Sequence, residues 1–326
     1  MANIKARLRL GTLLLIGLLG CSNAGEDLGF SPSGSGTVLV LVYFDRDGSL
    51  DITQPDTAFA GIRVGLVVSG TTDTTLTATT DSVGNVRFTG VPFGNYQFVV
   101  DSNSLGDSLE VQAIDVPSLM LRANAAQQTV IGRVGFPVAT VAGARVLASG
   151  TRVIVTGQIL SGVDVFGDST AHLADAGVAI RLTNAIDLGP PSAPGDSARV
   201  LATVSARSGQ PVLDSARVFV YRLGQISAPV SLTTLLASNA DTARQDANLV
   251  QLTDAIITDT LTVGTDYHVT VDDGTGPLII ELDGDIVFPK GQYIIGKKVN
   301  GRGVLVPAGN GSWLFKPRVP NDVTIT

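Results

Sequence analysis

Short β-branched and aromatic runs, each cut off by Gly, Asp or Asn, recur from Thr37 to the end of this chain and restrict it to strands joined by tight turns. Val38 to Phe44 is one such run. Ile62–Val68, Thr75–Thr79, Val86–Thr89 and Tyr96–Val100 follow at short intervals. With 37 glycines and only 16% charged residues in 326, the composition suits hairpins and half-buried sheets. The expected fold class is all-β: a sandwich followed by two small barrels.

The first stretch carries ordered motifs: Phe44-Asp45-Arg46-Asp47-Gly48, Asp51, Asp56 to Val64, Thr80-Asp81-Ser82-Val83-Gly84-Asn85 and Gly94-Asn95-Tyr96. These resemble a surface-adhesin B-type repeat, within the prealbumin-like group that also holds carboxypeptidase-regulatory-like domains. Ile131 to Gly135 stands where such domains carry their last strand. The resemblance implies a sandwich over residues 37–136 that serves as a rigid spacer or binding module, and it implies calcium in some members. Physically, Asp45, Asp47, Asp51 and Asp56 are oxygen ligands of the kind a hard cation needs. The same Asp and Gly residues also make turns through side-chain bonds to the backbone. Both readings stand at this point. The loop has neither the spacing nor the closing Glu of an EF-hand.

Beyond Phe136-Pro137 a second pattern appears and then repeats roughly 95 residues later, which implies two copies of one unit. A strand, an Asp-x-Gly hairpin, a strand and a Gly turn recur, with His172 and His268 at matching places. The segments Ala144-Arg145 with Gly150–Val153, Val299–Leu305 and Trp313 to Arg318 resemble the OB-type barrel of extracytoplasmic nuclease-associated proteins. That resemblance implies one barrel over 137–225 and another over 226–326. Neither copy shows a helix between its third and fourth strands, so reduced barrels are expected. The best short helix is Ser231–Ser238, with Ser231 as its N-cap. OB barrels bind oligosaccharides or single strands on one face. In the second copy Lys290, Lys297, Lys298, Arg302, Lys316 and Arg318 form a basic cluster beside Trp313. Lys297, Lys298 and Trp313 are therefore the candidate ligand-binding residues, set against a role for Trp313 as a core plug.

Before the first strand, Lys5, Arg7 and Arg9 precede an apolar run, Leu10–Gly20, that ends in Leu18-Leu19-Gly20-Cys21. The run is too short to span a bilayer, which takes about 20 helical residues, and it has the layout of a secretory signal. It resembles the bacterial lipoprotein signal, which implies cleavage after residue 20, acylation of Cys21 and a membrane anchor. Residues 21–36 read as a flexible tether. Ser22, where some lipoproteins carry Asp, points to outer-membrane delivery, extracytoplasmic in the cell envelope.

Without Lys5, Arg7 and Arg9 the 22 basic residues fall to 19 against 29 acidic, so the mature chain is near −10. Such a surface repels phosphate backbones, and nucleic acid is a disfavoured partner. No nucleophile elbow, His-Glu-x-x-His or phosphate loop appears, and no catalytic residue is assigned. The function expected is a non-catalytic envelope scaffold or binding module with a protein or glycan partner. The alternative is an accessory protein whose second barrel binds an oligosaccharide or a single strand.

Overall fold

The computed structural model describes residues 34–326 except 54, 73, 107, 226, 240–244 and 310. Cys21, the signal and the tether as far as residue 33 lie outside the described residues. Ser35–Phe44 is the central strand of the sandwich, running parallel to Gln127–Gly135 and antiparallel to Asn85–Pro92. Alternation decides which side chains face inward. Val38, Val40 and Val42 are fully buried and meet Val64, Leu66, Tyr96 and Phe98 from the opposite, four-stranded sheet. Glu110–Ile114 and Ser118–Leu121 add one strand to each sheet; their mixed composition gave no clear alternation in the sequence.

The first barrel is a closed five-stranded sheet. Arg152–Ser161 pairs with Ala171–Asp175, which pairs with Val178–Thr183. That third strand runs parallel to Gln210–Arg222, and Ser197–Arg207 closes the ring between the last strand and the first. The second barrel repeats this order with Leu249–Val263, Asp266–Asp272, Pro277–Leu282, Trp313–Lys316 and Lys298–Pro307. The first barrel's core is aliphatic, built on residues such as Val153, Leu173, Ile180 and Leu213. The second is filled by Phe288, Tyr293, Trp313 and Phe315 among aliphatic neighbours.

Each barrel has a plug, but it comes from upstream of the first strand. Val138–Ala139 runs parallel to the first strand of barrel one and leads into the helix Val141–Ala144, which buries Val141 and Ala144. The Thr140 hydroxyl accepts the Gly143 N–H at 3.0 Å, so a side chain caps this single turn. In barrel two Val230–Ser231 and the helix Thr234–Ser238 take the same places. Thr233 is the N-cap, not Ser231, which belongs to the preceding strand. Between strands three and four barrel two carries only the 3-10 turn Lys290–Gln292, and barrel one no helix among the described residues. Both rings are closed all the same, and the plug is supplied from upstream.

The repeat also sets a register. Both first strands bulge at the same point, after Ile159 and after Ile257. Ile159, Leu173 and Leu182 of barrel one correspond to Ile257, Val271 and Ile280 of barrel two. By that register His172 corresponds to Thr270, and His268 lies one outward-facing position away. The two histidines are not equivalent, a difference that strand-by-strand pairing reveals and a sequence offset does not.

Candidate functional site

The acidic loop begins where the central sandwich strand ends. One oxygen each of Asp45, Asp47 and Asp56 converge within 4.8 Å, and Asp51 stands outside the group. Every oxygen of the three is engaged. Asp45 accepts the Gly48 N–H at 2.7 Å and the Leu50 N–H at 3.1 Å. Asp47 accepts the Ser49 N–H and the Thr53 hydroxyl. Asp56 accepts the backbone N–H groups of Arg46 and Thr53. These bonds hold Leu50 at a φ of 68°, a left-handed conformation costly for a branched side chain.

Burial raises the Asp45 carboxyl above its usual range, and its hydrogen bond with Asp47 raises it further. Asp47 shifts the other way: burial alone would raise it, but the Ser49 donors and the Asp45 proton lower it. A calcium ion wants six to eight oxygens free to turn toward it. The donors on all six carboxylate oxygens make a side-chain-braced turn. The three converging oxygens of Asp45, Asp47 and Asp56, without Asp51, are fewer than such an ion needs from its whole shell.

The ligand-binding trio of the second barrel does not assemble. Trp313 is 6% exposed and lies in the barrel core, its Nε1 donating to Asp246 Oδ1 at 2.9 Å. Burial removes its ring from any surface on which a ligand could stack. Lys297 is exposed, and Lys298 forms a solvent-open pair with Asp254 at 3.5 Å. The rest of the basic cluster is dispersed: Lys290 reaches the Thr265 carbonyl, and Arg302 pairs with Asp322.

Lys316 and Arg318 instead join the barrels. Arg318 is 3% exposed; it binds the buried Asp322 through Nε and Nη2 and donates from Nη1 to the Leu160 carbonyl of barrel one. Burial alone would raise the Asp322 carboxyl, but Arg318, aided by Arg302, holds it below the usual range. Lys316 Nζ lies 2.7 Å from Asp283, 2.8 Å from Glu281 and 4.5 Å from the Phe166 ring centroid of barrel one. Burial pulls its ammonium toward neutrality, and the two carboxylates outweigh that and raise it. His268 completes this group at 3.2 Å from Glu281. Asn248 donates to the Gly177 carbonyl, and Arg145 reaches both the Ala179 carbonyl and Asp246. Around these contacts Leu160, Phe166, Ala179, Ala247, Leu249 and Val304 form an apolar seal.

His172 lies inside this junction, fully buried, with Nδ1 2.7 Å from Ser161 Oγ and Nε2 without a partner. Burial first, then the charges of Arg181, Lys316 and Arg318, push its imidazole down to about 3. The Ser161–His172 pair has the spacing of a nucleophile and base. Both side chains are at 0% exposure, which leaves no path for a substrate.

The sandwich is tied to barrel one by a parallel set of contacts. Arg199 Nη2 donates to Gln112 Oε1 at 2.6 Å, and Gln112 Nε2 donates to the Phe136 carbonyl at 2.7 Å. Glu110 accepts the Val138 N–H, and Gly48 rests against Ile154 and Leu201.

No protein-family model and no curated protein matches the chain. Among solved structures it is similar to asparaginyl-tRNA synthetase from Pyrococcus horikoshii, 13% identical with a TM-score of 0.24 over 30% of this chain and 22% of that one. It thus spans less than a quarter of the synthetase. A murine DNA-binding protein bound to double-stranded DNA is 10% identical with a TM-score of 0.29, over 53% of this chain and 97% of its own. The p202 HIN1 domain in complex with a 12-mer double-stranded DNA is 12% identical with a TM-score of 0.27, over 53% and 91%. All three likenesses are loose ones, to a chain that is itself a sandwich and two closed five-stranded barrels.

Proposed function

We propose that this chain is a non-catalytic, lipid-anchored protein of the bacterial cell envelope, in which three β-modules form a continuous scaffold for an extracytoplasmic partner. The observation that carries this reading is how the junction residues are used. Lys316, Arg318 and His172 are buried at the barrel junction, and Arg199 is half-buried against the sandwich. Lys316 and Arg318 bond carboxylates and the Leu160 carbonyl, Arg199 bonds the Gln112 side chain, and His172 bonds the Ser161 hydroxyl. A buried cation bonded across a junction resists its opening, because removing either partner strands the other (about 3–5 kcal/mol).

The anchor rests on the sequence before the first strand, where a basic flank, a short apolar run and Gly20-Cys21 stand in signal order. Among the described residues no helix is long and apolar enough to cross a membrane. Mass spectrometry of the protein from envelope fractions tests the reading. Acylated Cys21 at the N-terminus, lost in Cys21→Ser together with membrane association, is the expected result. An N-terminus elsewhere, or membrane association that survives Cys21→Ser, would overturn it.

A further inference from the structure

The groove between the sandwich and barrel one gathers three arginines that the chain itself leaves unmatched. Arg46 Cζ lies 5.5 Å from the Phe44 ring centroid, Phe44 meets Phe136 edge-on at 5.4 Å, and Arg152 Cζ lies 4.4 Å from the Phe136 centroid. Two guanidiniums thereby rest beside an aromatic pair. Arg46 Nε donates to the Thr57 hydroxyl at 3.2 Å, and its Nη groups and the Arg152 guanidinium have no hydrogen-bond acceptor among the described residues. Arg217 completes the lining of a cavity of about 310 Å³. Among the described residues none of the three enters an ion pair. Burial, then Arg217 and Arg46, lower the Arg152 guanidinium from its usual range, so like charges crowd here with no carboxylate in salt-bridge contact. In a chain of net charge −7 such a cluster is an exception.

A second cavity, of about 250 Å³, adjoins the first through Pro55 and Arg217. Its polar wall is Asp47, Ser49, Asp51 and Thr53. Asp51, the acid outside the braced turn, is exposed, and its carboxylate makes no hydrogen bond among the described residues. The groove is therefore cationic at one end and rich in hydroxyl-binding groups at the other. A strand of phosphates would meet Asp47 and Asp51, and a neutral sugar would leave the arginines unanswered. Planar bidentate donors suit a carboxylate, and free carboxylates suit sugar hydroxyls.

We infer that this groove binds a sugar acid, a hexuronate unit of an acidic glycan, with its carboxylate on Arg46, Arg152 and Arg217 and its hydroxyls toward Asp51. The inference is independent of the anchor, and acylation plays no part in its test.

Titration calorimetry of the full chain in detergent, with glucuronate, glucose and inorganic sulfate as probes, tests the assignment. Glucuronate is expected to bind below about 10 mM and glucose not to bind. Sulfate should bind more weakly than glucuronate, on the arginines alone. Arg152→Met and Arg217→Met should each weaken glucuronate by roughly tenfold or more, the usual scale of a lost charge-assisted bond. Asp51→Ala should weaken glucuronate and leave sulfate unchanged. Arg152→Lys keeps the charge and the surface but loses the fork; it serves as the folded control and should also weaken glucuronate. Thermal unfolding of each variant shows that it is folded. Glucuronate binding that survives both Met substitutions, or fails altogether in folded wild type, would overturn the site. Sulfate bound as tightly as glucuronate would overturn the sugar-acid class.

Discussion

Arg318 Nη1 of the second barrel donates to the Leu160 carbonyl of the first at 2.7 Å, while its Nε and Nη2 hold the fully buried Asp322 carboxylate. One guanidinium thus satisfies its own module and the next. Arg318→Met should leave the buried Asp322 with only Arg302 and the residue-318 backbone N–H, and the Leu160 carbonyl unpaired, at a cost of about 3–5 kcal/mol. Chemical denaturation would read this as a lower midpoint, with the two barrels no longer unfolding together. The double variant Arg318→Met/Asp322→Leu should recover much of the loss. A single variant as stable as wild type would show that the junction does not depend on this bond.

His172 predicts a specific acid limb. Folded, it stays neutral down to about pH 3, whereas in an unfolded chain it takes a proton below about pH 6.5. The unfolded state then binds more protons, so stability is complete above pH 6.5 and drains as pH falls toward 3. The limiting slope from this one group is about 1.4 kcal/mol per pH unit. In Ser161→Ala/His172→Leu, which removes both members of the pair, that share of the slope should vanish. Unfolding free energies measured from pH 8 to pH 4 that run parallel in the two proteins would refute it.

Trp313→Phe tests the plug. A smaller aromatic ring stays in the core, but Asp246 Oδ1 loses the Nε1 donor at 2.9 Å, while Arg145 stays 3.4 Å from the other oxygen, Oδ2. A stability loss of about 1–3 kcal/mol is expected, the usual result of stranding a buried acceptor. Glycan binding, measured alongside, should be unchanged. A loss of binding without a loss of stability would return Trp313 to a ligand surface.

Much of the fold was legible because strand patterning is local. Val38, Val40 and Val42 alternate inward, and the repeat in the second half marked two copies of one barrel. What escaped was decided by partners distant in sequence. Trp313 beside a run of lysines and arginines reads as a binding face until closure turns its ring inward. Lys316 and Arg318 read as surface cations until barrel one covers them. Four aspartates in one turn look alike by spacing, and only the hydrogen bonds separate Asp51 from the other three. Arg46, Arg152 and Arg217 belong to three separate strands or loops of two modules, so no motif could have joined them.

The upstream plug has a consequence for how this architecture is divided and copied. The smallest transferable piece is not the five strands of the barrel but those strands together with the parallel stub and capped turn before them. A fragment begun at Arg152 or Leu249 would lack the turn that buries Val141 and Ala144, or Thr234 and Ala237, against the barrel. One begun at Val138 or Val230 brings its own floor. Duplication of that larger piece yields a tandem in which each tube arrives already closed at one end, and only the junction residues, such as Leu160 and Phe166 of the first barrel with Lys316 and Arg318 of the second, had to be fitted to each other.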